Sequence, residues 1–77
     1  MEISQLINEI AEALEIDAAS VNSESDSTMI EEWDSLGHIS ILAHLDQKFD
    51  NITENCPELA SATSVKEILT ILNKQLN

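Results

Sequence analysis

The 77-residue chain contains no arginine, three lysines, one cysteine, one glycine and one proline, and each scarcity excludes something. Three bases against fifteen acids leave a formal net charge of −12. Such a surface repels phosphate backbones and anionic lipid, so neither nucleic acid nor a membrane surface is an expected ligand, whereas basic protein partners are. The lone Cys56 rules out an internal disulfide. No Cys/His set has the spacing of a zinc site, so apolar packing alone must hold the fold. No apolar run is long enough to span a membrane, and Met1 is not followed by a basic flank and an apolar stretch, so the cytoplasm is the expected location. No Asn-Gly or Asp-Gly turn joins two alternating runs, and the only glycine, Gly37, lies inside a helical pattern, which removes the usual signals for strands.

What remains is 43% hydrophobic residues, too many for a disordered acidic tail and enough for a small helical core. Residues 1–77 are expected to form one compact unit with a small core, without a deep internal cleft. Ile3, Leu6, Ile7, Ile10 and Leu14 recur at helical spacing, which predicts an amphipathic helix over about 2–15. From about 16 to 34 the periodicity fails and serine recurs, with only Val21, Met29, Ile30 and Trp33 available to pin the segment. A connection of that length is more often functional than decorative. A second helix is predicted over about 35–50, opened by Asp34 as an amide acceptor and closed at Asp50 and Asn51. An irregular stretch then leads to Pro57, suited to the first turn of a short helix over about 57–61. Ser64 and Glu67 have capping-box spacing, and Val65, Ile68, Leu69, Leu72 and Leu76 form the stripe of a last helix over about 65–76. The predicted fold is all-α, with four helices and a long first loop.

The second helix carries two apolar arcs. Ile41, Leu42, Leu45 and Phe49 form one, as a core face should; Leu36, Ile39 and Ala43 form another. The second arc either packs beneath the long loop or is left for a partner. Ser35 stands at its head, at the positive end of the helix, where free amides and the helix dipole favour a phosphate ester on its hydroxyl. The plain alternative is a serine that only helps cap the helix. A catalytic serine fits poorly: Trp33-Asp34-Ser35-Leu36-Gly37 lacks the first glycine of G-x-S-x-G, no strand precedes it, and Asp34, Ser35 and His38 share one short element. The chain is therefore not expected to be an enzyme. His38 and His44 lie six residues apart on different helix faces and are expected as surface residues, not as a metal pair. Trp33 is expected as a partly buried anchor for the loop and Cys56 as a gap-filler or a surface thiol. Gly37 should cost the helix about 1 kcal/mol relative to alanine and loosen its first turn.

Glu32-Trp33-Asp34-Ser35-Leu36-Gly37-His38-Ile39, followed by Leu42, Leu45 and Phe49, resembles the attachment motif and second helix of acyl and peptidyl carrier proteins. The likeness extends over nearly the whole chain, through the order of helices and the long loop. It implies a four-helix carrier fold in which a phosphopantetheinyl transferase attaches 4′-phosphopantetheine from coenzyme A to Ser35. Asp34 would be the motif acid beside it. It further implies Leu36, Ile39 and Ala43 as apolar partner contacts, with Asp34, Asp46 and the acidic loop steering basic rims of partner enzymes. Those partners would be the transferase, an acyl- or aminoacyl-loading ligase and downstream transferases or synthases, served by a monomeric carrier. Carriers of bulk fatty-acid synthesis usually have acidic residues where this chain has Gly37, Ser40 and Gln47. Trp33 and the Gly37-His38-Ile39 run are more similar to free-standing carriers of polyketide, peptide or cell-surface-decoration pathways. The alternative from a different class is an unmodified acidic helical interaction module.

Overall fold

A computed structural model describes the backbone of residues 1–76 and the side chains of residues 1–75. Apolar residues at three- and four-residue spacing give α1 (Ile3–Leu14), which buries Leu6, Ile10, Ala11 and Leu14. After a 3-10 turn at Ala18–Ser20 and a long loop come α2 (Ser35–Phe49), the single turn α3 (Ile52–Asn55), a 3-10 helix at Pro57–Ser61 and α4 (Val65–Leu76). No strand forms among the described residues, and the one bridge joins Asp26 to Ser64. The fold is an all-α bundle, and none of its helices is long and apolar enough to cross a membrane.

Three helices lie within a residue of the expected bounds, and their ends show why. Asp34 accepts the Gly37 N–H at 2.8 Å to open α2, and Asp50 and Asn51 adopt left-handed backbone to close it. Aspartate and asparagine tolerate that conformation better than most residues. Ser64 Oγ accepts the Glu67 N–H at 3.1 Å and donates to the Glu67 carboxylate at 3.1 Å, so the expected capping pair forms at α4. The Leu76 side chain, last of the expected α4 stripe, lies outside the described residues.

Two expectations need correction. The stretch before Pro57 is not wholly irregular, because Ile52–Asn55 makes a helical turn; Pro57–Ser61 is helical as expected, but of the tighter 3-10 type. The extra turn depends on Asp46 of α2, whose carboxylate accepts both the Thr53 N–H and the Thr53 hydroxyl at 2.8 Å. That partner is seven residues away and leaves no local pattern to read.

Leu6, Ile10, Ile41, Leu45, Leu59, Val65, Ile68 and Leu72 fill the centre with essentially no exposure. Leu42 and Phe49 pack at its edge. Val21, Ile30 and Trp33 tie the long loop to this core, but Met29 does not: it is 62% exposed. The loop is also sewn to the start of α4. Ser27 N–H donates to the Thr63 carbonyl at 2.9 Å, and Val65 N–H donates to the Ser25 carbonyl at 3.1 Å. These bonds satisfy backbone groups that buried loops otherwise leave orphaned. With the loop drawn in, the radius of gyration is 11.0 Å, against about 11.5 Å expected for a compact chain of this length.

Candidate functional site

Ser35 is the first residue of α2 and is exposed. Its hydroxyl makes no hydrogen bond among the described residues. The cap beside it comes from Asp34, whose carboxylate takes the Gly37 N–H while its carbonyl takes the His38 N–H at 2.8 Å. Ser35 therefore has no capping duty of its own among the described residues, and the residue is exposed at the positive end of a fifteen-residue helix.

Gly37 explains how the loop reaches this point. A Cβ there would fall well inside van der Waals contact of the Glu32 carbonyl oxygen and 2.8 Å from Leu14 Cδ2. The glycine lets the chain leading into Ser35 lie directly on the first turn of α2. Beyond its cost to the helix, Gly37 has a packing role that its sequence position does not reveal: it allows the turn to be covered.

The second apolar arc is free. Leu36 is 76% and Ile39 61% exposed, and Ala43 is exposed with them. The loop does not lie over this arc, because Trp33 draws it to the other side of α2. Trp33 is 2% exposed, an anchor more deeply buried than the sequence suggests. Its indole N–H donates to His38 Nδ1 at 3.0 Å, and His38 Nε2 lies 2.9 Å from the Leu59 carbonyl oxygen. The ring planes differ by 12° and the centroids are 6.3 Å apart. With the nitrogens in hydrogen-bond contact, the rings meet edge to edge and do not overlap face to face. His38 is thus not a free surface residue. Next to it a groove of about 550 Å³ opens beside Ser35, walled by Trp33, His38, Ile39, Leu42, Ala60 and Thr63.

Asp46, expected as a partner contact, is half-buried with its carboxylate committed to Thr53. His44 lies far along α2, on α1's side: its Nδ1 is 3.5 Å from the Glu9 carboxylate, which also pairs with Lys48 at 3.4 Å. Glu9, Glu12 and His44 offer donor atoms within 4.8 Å of one another, a divalent-cation spacing in which Lys48 already supplies a positive charge. Cys56 is buried among apolar residues. Burial first, and then the nearby Glu58 charge, push its thiol above the ordinary range. That is the setting of an inert thiol.

Asp34 caps the helix as the sequence predicts, and Ser35, Leu36 and Ile39 lie exposed beside it, but sequence reasoning missed the Trp33–His38–Leu59 chain. The signal available was the placement of the only tryptophan five residues before a histidine at a helix start. No family model, curated protein or solved structure matches the chain, so its functional reading rests on these residues and their geometry.

Proposed function

We propose that this chain is a cytoplasmic carrier protein, modified on Ser35 with 4′-phosphopantetheine and acting as a substrate of other enzymes. The observation that carries the reading is the combination at one helix start: an exposed, unbonded serine hydroxyl whose neighbour Asp34 has taken over the cap, followed by the exposed Leu36 and Ile39. A purely structural serine would be expected to bond to its own helix. The group fits these residues, since Ser35 Oγ is accessible for a phosphodiester and the helix start favours its negative charge. When attached, the arm would supply a thiol that holds an acyl or aminoacyl cargo as a thioester. Ser35 would be the attachment point, Asp34 would keep the first turn in place, and Leu36, Ile39 and Ala43 would form the apolar contact for the modifying and loading enzymes. The acids crowding the first 47 residues would steer their basic rims. Asp46 is left out of this face because Thr53 occupies it.

Incubation with coenzyme A, magnesium and a broad-specificity phosphopantetheinyl transferase should add one phosphopantetheine mass, read by intact-mass spectrometry, and Ser35→Ala should add none. A folded wild-type chain that stays unmodified, or is modified elsewhere, would leave the unmodified interaction module as the better reading of the same exposed face.

A further inference from the structure

Two hydrogen bonds meet on one imidazole, and together they dictate its protonation state. Indole N–H can only donate and a backbone carbonyl can only accept. The Trp33 contact at 3.0 Å therefore requires a bare Nδ1, and the Leu59 contact at 2.9 Å requires a proton on Nε2. Neutral His38 with its proton on Nε2 satisfies both. A protonated ring satisfies only the second, because its Nδ1–H would then point at the Trp33 N–H.

The two bonds tie together three separate pieces of chain. Trp33 ends the long loop, His38 lies one turn into α2, and Leu59 sits at the centre of the 3-10 helix. His38 to Leu59 is the only side-chain hydrogen bond between α2 and that 3-10 helix among the described residues. The Trp33 indole has no acceptor other than His38 there, and its residue is almost fully buried. A buried donor stripped of its acceptor is strongly disfavoured.

We propose that the Trp33–His38–Leu59 chain is a proton-operated latch on the junction that presents Ser35. With His38 neutral, the indole is held and the groove beside Ser35 keeps its inner wall. On protonation the Trp33 bond is lost, while the Leu59 bond persists, so the piece released is the loop end that leads into Ser35. The charged groups on the surrounding elements do not block this. From α2's own head, Asp34 has its carboxylate turned to the Gly37 N–H. On the loop are Glu31 and Glu32, on the 3-10 helix Glu58, and near it the Cys56 thiol; none is hydrogen-bonded to the ring. The latch does not depend on modification of Ser35 and is testable in the unmodified chain.

Because Trp33 is the only tryptophan, its indole N–H gives a single NMR resonance and its emission a single fluorescence signal. In the wild type we expect the hydrogen-bonded, downfield indole N–H shift at pH 8 to be lost on acidification to about pH 5, with a parallel change in emission. His38→Gln offers an amide oxygen to Trp33 and an amide N–H to Leu59 without titrating, so it should hold the downfield shift at both pH values. His44→Gln should leave the wild-type titration in place. An indole shift unchanged between pH 8 and pH 5 in the wild type would overturn the latch. So would a titration that survives in His38→Gln or disappears in His44→Gln. His38→Leu, which removes both bonds, should show the released shift even at pH 8; if that variant does not fold, the His38→Gln comparison alone decides.

Discussion

The carbonyl oxygen of Glu32 lies over Gly37, in the space that the Cβ of any other residue would need. The contact joins the last turn of the loop to the first turn of α2 and so fixes where Ser35 emerges.

Gly37→Ala sets two effects against each other. Alanine favours a helix interior by about 1 kcal/mol, but here its methyl meets backbone, which cannot step aside as a flexible side chain can. Overpacking of this kind costs about 1–3 kcal/mol. Urea denaturation should show a net loss of stability, and a net gain would mean that the loop does not close on this turn.

The two arcs of α2 should respond oppositely to mutation. Leu45→Ala removes a fully buried side chain and should cost about 2–5 kcal/mol. Phe49→Ala, at the edge of the core, should fall at the lower end of that range. Ile39→Arg places its charge in solvent and should leave the helical circular dichroism and Tm nearly unchanged while slowing phosphopantetheine transfer. Thermal melts and transfer rates on the three variants check this.

Residues 1–47 hold eleven acids and no lysine or arginine, so α1, the loop and most of α2 repel one another. Glu9 finds Lys48, and Glu24 finds Lys66 at 2.8 Å, but such pairs near the surface contribute little. Screening acts over about 8 Å at physiological ionic strength. Repulsion should be the larger loss when salt is low, and Tm should rise with added sodium chloride, more steeply with magnesium. A flat or falling Tm would show that the ion pairs outweigh the repulsion.

Asp26 heads the turn that meets α4, and its carboxylate accepts the Thr28 hydroxyl at 2.6 Å and the Thr28 N–H at 2.9 Å. The Thr28 hydroxyl bond first, and then the Thr28 amide, hold its carboxyl below the usual value of 3.8. A carboxyl depressed in the folded state adds stability that is in place above its unfolded value and is lost as pH falls through its folded value. Its contribution should thus be complete at neutral pH, start to fall as pH drops through about 4, and be gone only below the depressed folded value. In a carboxyl-detected NMR titration, Thr28→Val should move the Asp26 midpoint upward, towards its ordinary value.

Periodicity and end signals were enough to determine α1, α2 and α4, because apolar spacing and capping residues act within one or two turns. The Asp34-Ser35-Leu36 start was legible for the same reason: cap, hydroxyl and helix end are neighbours in the chain. Which way the second arc of α2 faced was not, since a strip of Leu36, Ile39 and Ala43 has the same spacing whether a loop covers it or water does. Only the folded chain decided that, by burying Trp33 on the other side and leaving Ile39 exposed. The folded chain also decided the role of Gly37, through the backbone of Glu32, the formation of α3, through Asp46 reaching Thr53, and the tautomer of His38, through the Leu59 carbonyl twenty-one residues away. Each of these rests on a contact whose partner is set by packing, and packing distances are not encoded in the order of residues along a short window.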